Sequence, residues 1–154
     1  AGSHLALVRG LSGGQVPTVD PIAAKRTFDF VHRSIRSRWV RACHDLSEGG
    51  LAVAAAEMSI AGQLGMQIDI APLCEDGLSP TEVLFSESNT RFLMEVSPQC
   101  AQEFEAMSDQ CDVPLVRLGT IESSDSLVVT RAADTVLRVS IAEAKSAWQS
   151  PLDW

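Results

Sequence analysis

Eight consecutive residues, Cys43-His44-Asp45-Leu46-Ser47-Glu48-Gly49-Gly50, put most of the reactive side-chain types into one short stretch. Two glycines leading into a helix would offer free N–H groups and the positive end of the helix dipole, which suit a phosphate. Lacking side chains, they also let the backbone come close to an anion. Asp45 and Glu48 would repel a bare phosphate but accept one carried with Mg²⁺, which prefers carboxylate and phosphate oxygens. The same spacing also describes a capped turn, in which Asp45 or Ser47 satisfies helix N–H groups and the glycines only pack. A Cys43–His44 nucleophile and base pair is set aside, because neighbours on a strand point to opposite faces. Cys43 is expected in the core and His44 in a hydrogen-bonded loop position.

A second stretch, Leu84-Phe85-Ser86-Glu87-Ser88-Asn89-Thr90-Arg91, gathers hydroxyl and amide side chains beside an acid and an arginine. Ser88, Asn89 and backbone N–H groups are suitable donors for a phosphate monoester, with Arg91 as its charge partner. An ordinary helix-to-strand turn with Glu87 and Arg91 paired accounts for the same residues. Neither stretch holds a complete acid–base set.

The elements that position these stretches are legible in outline. Asp20-Pro21 supplies an N-cap and a proline at the first helical position. Phe28, Val31 and Ile35 give an apolar stripe, so a helix is expected over about 21–38. Residues 39–43 read as a strand, 44–48 as a polar loop, and Gly49-Gly50 open an Ala-rich helix to about Ala61. A strand follows over 66–70. Ser79 and Glu82 match a capping box for a short helix, as Ser140 and Glu143 do for a last one ending near Trp148. Between them come a strand over 91–96, a helix striped by Cys100, Phe104, Met107 and Cys111, and strands over 113–120, 126–130 and 135–139. The sum is an α/β chain of α+β character, a mixed sheet with helices packed on it.

A length of 154 residues fits one domain at about 150 residues each. The apolar share of 45% and charged share of 21% are those of a globular protein, which excludes a disordered tail or a rod. Its net charge of -8 repels nucleic acid. Six of the twelve basic residues do fall within 25–41, but Asp29 precedes Arg33 by one helical turn and no aromatics for base stacking accompany them. Nucleic acid is therefore rejected as a partner. A membrane is rejected too, since no apolar run nears the ~18 residues of a span. The four cysteines are widely spaced, with neither CxxC pairs nor finger-spaced histidines, so neither a zinc site nor a disulfide framework is suggested and a reduced cytoplasm is expected. Cys100 and Cys111, on the helical stripe, are expected as core thiols. Residues 1–4 (Ala-Gly-Ser-His) look like an expression scar, so His4 is excluded from any site. Residues 5–19 read as a linker from an upstream domain, and 20–150 as the domain itself.

Taken together, residues 44–52, Glu57-Met58 and 84–92 resemble phosphoribosylformylglycinamidine synthase, specifically the C-terminal domain of the second of its two halves. This is an AIR synthase-related C-terminal domain. The resemblance runs from Gly13 to about Trp148, and Gly13-Gly14-Gln15-Val16-Pro17 looks like the linker from the preceding domain. Other ATP-dependent relatives, among them selenophosphate synthetase and a hydrogenase-maturation protein, keep the glycine loop but not the Leu-Phe-Ser-Glu-Ser stretch.

The resemblance implies a fragment of an ATP-dependent, amidine-forming C–N ligase of purine biosynthesis. That enzyme turns formylglycinamide ribonucleotide, ATP and glutamine-derived ammonia into the amidine, ADP and phosphate. By the same resemblance Asp45 is a magnesium-type carboxylate. Glu87, Ser88 and Asn89 form the phosphate-type segment, with Ser47, Gly49, Gly50 and Arg91 completing a nucleotide or phosphate site. Mg²⁺ and ATP or ADP belong to the parent enzyme, and none is assigned to the fragment alone. The catalytic half of the family carries a Gly-Ala form of the glycine loop. Ser47-Glu48-Gly49-Gly50 places this chain in the other half, whose pseudo-site is an auxiliary ADP site or empty. The implied partners are the N-terminal domains of the same chain, a glutaminase and small accessory subunit for a short-form enzyme, and self-association through uncovered apolar surface. Another superfamily enzyme and a purely structural domain are the alternatives.

Overall fold

The computed structural model describes residues 3–13, 16–74 and 77–152. Ala1 and Gly2 of the N-terminal tetrapeptide, and Gly14 and Gln15 of the linker reading, lie outside these. The helices and strands, in chain order, are α1 (His4–Arg9), α2 (Pro21–Arg36), β1 (Val40–Asp45), α3 (Gly50–Gly62), β2 (Gly65–Asp69), α4 (Pro80–Phe85), β3 (Phe92–Val96), α5 (Ala101–Gln110), β4 (Gly119–Glu122), β5 (Ser126–Arg131), β6 (Asp134–Ser140) and α6 (Ile141–Gln149). They fall into two compact units: the first runs to Glu48 and resumes over Glu87–Val116, and the second takes Gly49–Ser86 and the chain from Arg117 onward.

In the first unit α2 begins where the sequence says it should. The Asp20 carboxylate accepts from the Ile22 and Ala23 N–H groups at 2.9 and 3.2 Å, with Pro21 at the first position. Its buried face differs from the expected stripe. Ala24, Phe30 and Ser34 are buried, whereas Phe28 and Ile35 stand on the exposed flank. Both sets recur at helical spacing, and only the partner decides between them: Phe30 meets Phe104 of α5, ring centroids 4.9 Å apart, and Met107 joins them. Trp39 and Val40 at the start of β1, and Met94 and Val96 of β3, pack on this cluster. Strands β1 and β3 form an antiparallel pair.

Three other expectations are corrected in this unit. Cys43 is exposed, because the alternation along β1 turns Val40, Ala42 and His44 inward and Arg41, Cys43 and Asp45 outward. Cys100 is half-buried rather than a core thiol, while Cys111, also half-buried, does pack against the Phe30, Phe104 and Met107 cluster. Residues 113–118 form no strand; the Leu118 carbonyl accepts the Asp69 N–H at 2.8 Å, and β4 itself begins at Gly119. The stretch read as a linker contains α1, started by the Ser3 hydroxyl and closed by Gly10 in the left-handed region.

The second unit is built on a mixed four-stranded sheet, ordered β4-β2-β5-β6. Strand β2 runs parallel to β5 and antiparallel to β4, and β6 runs antiparallel to β5. β5 lies inside the sheet and reads as a continuous apolar run, with Leu127, Val128 and Val129 all buried. The Ala-rich α3 buries Leu51, Ala52, Ala54 and Ala55 and packs against α4 and α6. Asp69 ties two loops together, its carboxylate accepting from the Ala71 and Ala132 N–H groups at 2.9 and 3.0 Å.

Both expected capping boxes are formed, Ser79 with Glu82 on α4 and Ser140 with Glu143 on α6. The serine hydroxyl, and then the serine N–H, hold each glutamate below its ordinary pKa. A carboxylate depressed in the folded state stabilises the fold above its unfolded pKa, and that contribution disappears as pH falls through the folded value. The Glu82→Gln/Glu143→Gln double variant is therefore expected to melt below wild type at neutral pH. The gap should close between about pH 5 and pH 3, where glutamates titrate. Thermal scans across that range check this, and a gap independent of pH would contradict it.

Candidate functional site

Pairing of β1 with β3 brings the two sequence stretches together. Asp45, the last residue of β1, sits opposite Phe92, the first of β3, and His44 sits opposite Leu93. One step further on, the Leu46 N–H donates to the Arg91 carbonyl at 2.9 Å. Within the second unit the same two stretches touch again. Gly50 has φ +62°, and a Cβ built on it would lie 2.6 Å from the Ser86 carbonyl oxygen and 2.9 Å from that of Leu84. The glycine is needed because backbone occupies the space of its side chain. The glycine loop and the Leu-Phe-Ser-Glu-Ser stretch are thus neighbours, 34 or more residues apart in sequence though they are.

Asp45 projects from the end of β1 with its side chain largely exposed. The Ser47 hydroxyl donates to its carboxylate. That bond first, then the Asp45 backbone N–H and the nearby His44, hold the carboxyl below its ordinary pKa. His44 Nδ1–H donates to the Asp45 carbonyl at 2.7 Å. The thiol of Cys43 is pushed up, by desolvation and then by the Asp45 charge, which suits no nucleophile. The cap position of α3 is Gly49, with φ +75° and no side-chain bond to give.

On the other stretch Arg91 is half-buried, and desolvation lowers its pKa from the ordinary value. Its Nε–H donates to the Ser88 carbonyl at 3.5 Å. The Asn89 side-chain N–H donates to the Pro17 carbonyl at 3.4 Å. Thr90 between them has φ +63°, a conformation that is an outlier for a β-branched residue. Strain of this kind concentrates at ligand clamps and switch regions. The Glu87 carboxylate accepts the His4 backbone N–H at 2.8 Å and lies 3.4 Å from His4 Nδ1, while His4 Nε2 is 3.8 Å from Glu48.

Asp45, Ser47, Glu87, Ser88, Asn89 and Arg91 therefore belong to the first unit, and Gly49 and Gly50 to the second. Sequence reasoning missed Thr90 and left out His4. Nothing in their residue types or spacing marks either one, because a positive φ and a contact over 83 positions are tertiary facts. Among the described residues no group of three or more His, Cys, Asp and Glu side chains is arranged around a metal position. No helix there is long and apolar enough to cross a membrane.

This architecture has a family. The chain belongs to the AIR synthase related protein, C-terminal domain family, whose model matches residues 2–132 and so takes in His4 and α1. Within it the chain is similar to the phosphoribosylformylglycinamidine synthase subunit PurL of Deinococcus radiodurans, 36% identical over 99% of this chain and 20% of that one. The PurL of Thermococcus sibiricus is 33% identical over 97% of this chain and, again, 20% of the relative. Among solved structures, Thermotoga maritima PurL complexed with ATP superposes with a TM-score of 0.78 at 25% identity, over 85% of this chain and 23% of that one. The chain spans about one fifth of the length of the curated relatives it matches.

Proposed function

We propose that this chain is the C-terminal domain of the second half of a phosphoribosylformylglycinamidine synthase, and that it carries an auxiliary nucleotide site rather than the catalytic one. The observation that carries the reading is the contact of the two motif stretches, through Leu46 and Arg91 in one unit and Gly50 and Ser86 in the other. Similarity to PurL over nearly the whole chain supports it, as does the ATP in the T. maritima structure of the same fold.

The parent reaction would phosphorylate the amide oxygen of formylglycinamide ribonucleotide with ATP, and ammonia would then displace the phosphate. For this chain the chemistry of the residues allows binding only. Ser88, Asn89 and backbone N–H groups would donate to phosphate oxygens, and the desolvated Arg91 would supply charge. Asp45, kept ionised by Ser47, would give Mg²⁺ one carboxylate, which is how that ion is held when phosphates fill its other positions. Exposed apolar side chains at Leu7, Val8, Leu11, Val16 and Ile22 fit a surface that the rest of a longer chain covers. A cytoplasmic setting belongs to the proposal, as do a glutaminase and a small accessory subunit where the parent is a short-form enzyme.

The test is ATP-dependent amidine formation from formylglycinamide ribonucleotide with free ammonia, run on the parent enzyme and on this chain side by side. Turnover is expected in the parent and none in this chain. A folded parent that makes no amidine would overturn the reading. Asp45→Asn and Ser88→Ala in the parent should lower its bound nucleotide content. Full content and activity in both variants would leave the domain a structural role only.

A further inference from the structure

Thr90 holds φ +63° between α4 and β3, while Asn89 before it keeps the ordinary negative sign. A β-branched residue stays in that conformation only where its surroundings impose it. Local bonding does not account for it. Among the described residues no hydrogen bond takes up the N–H of Ser88, Asn89 or Thr90, or the hydroxyl of Ser88 or Thr90. The Asn89 side chain, by contrast, already gives an N–H to the Pro17 carbonyl. A negative φ followed by a positive one draws successive N–H groups to a common side, which makes a concavity for an anion. The half-buried Arg91 follows directly and brings a positive charge, its Nε–H reaching the Ser88 carbonyl. We propose that Thr90 is a positioning residue, whose left-handed backbone gathers the Asn89, Thr90 and Arg91 N–H groups around one phosphate group of the nucleotide. The proposal rests on the nucleotide-site reading above. It adds that the backbone turn, not the Thr90 side chain, sets the grip.

The parent enzyme serves for the test, and the bound ADP that Asp45→Asn removes defines the site. Hydrogen exchange of the amides over 88–91 is compared with and without saturating MgADP. The Asn89 and Thr90 amides should slow by about tenfold or more, the worth of one hydrogen bond to a charged group. Thr90→Pro fixes φ near about −65° and should weaken this ADP by about the same factor. Thr90→Gly and Thr90→Asn accept a positive φ without the hydroxyl of threonine, and should bind within about threefold of wild type. ADP held elsewhere on the parent should be unchanged in all three, which separates the loop from a general loss of fold. Unchanged exchange at Asn89 and Thr90 would overturn the grip and leave the site standing, and this measurement needs no variant to fold. Wild-type affinity in Thr90→Pro would do the same, as would equal losses in all three variants, which put the contact on the hydroxyl. A parent with no bound ADP sensitive to Asp45→Asn would overturn the site reading and the grip together.

Discussion

Gly50→Ala is expected to destabilise the second unit by roughly 2–5 kcal/mol, the sum of a left-handed backbone penalty and overpacking against a close neighbour. Both components come from the same position. The backbone holds φ +62°, and the new methyl would meet the Ser86 and Leu84 carbonyl oxygens at 2.6 and 2.9 Å. Carbonyls at the end of α4 cannot swing aside as the tip of a side chain can, so the stretch over 84–86 must move or α3 must shift. Either response separates the two motifs where they touch. Gly62→Ala is the control. Nothing lies within 4 Å of a Cβ there, at the end of α3, and the change should be neutral or stabilise by about 0.5–1 kcal/mol. Urea unfolding of both variants checks the pair. A Gly50 variant within 1 kcal/mol of wild type would mean that this contact is not tight, weakening the main argument for the site.

What the sequence revealed and what it hid separates by the range of the interaction. Asp20-Pro21, Ser79 with Glu82 and Ser140 with Glu143 set helix starts through bonds spanning two or three residues, so they were legible and are formed. The two motif stretches were legible as chemistry, and their resemblance to one family placed them together. Composition could not, since Asp45 meets Phe92 only through strand pairing. Cys43 was misplaced because strand alternation fixes only relative facing, and which face turns inward is set by the partner strand. Residues 113–118 alternate well enough for a strand, but contact with the edge of β2 begins only at Leu118, whose carbonyl accepts the Asp69 N–H at 2.8 Å. His4 and Thr90 carry no local signal at all. One is defined by a contact 83 residues away and the other by a backbone angle.

Phe30→Ala is expected to cost about 3–5 kcal/mol, the usual range for removing a buried phenylalanine. Phe30 is 2% exposed, and its ring leans on Phe104 at 4.9 Å, a geometry that adds to the area it buries. β1 and β3 rest on the same cluster through Val40, Met94 and Val96. Loss of the ring should therefore loosen the strand pair that holds Asp45 opposite Phe92. Hydrogen exchange is expected to rise along β1 and β3, since opening follows local packing. Phe28→Ala provides the comparison. Phe28 is 53% exposed and meets Phe92 edge-on at 6.0 Å, so truncation should cost less than about 1.5 kcal/mol, the scale of one aromatic contact. The stripe of Phe28, Val31 and Ile35 read from spacing alone predicts the opposite order. Urea midpoints for the two variants thus decide which face of α2 carries the first unit. A larger loss at Phe28 would show that face to be buried in solution, and with it the seat assigned here to both motif stretches would have to move.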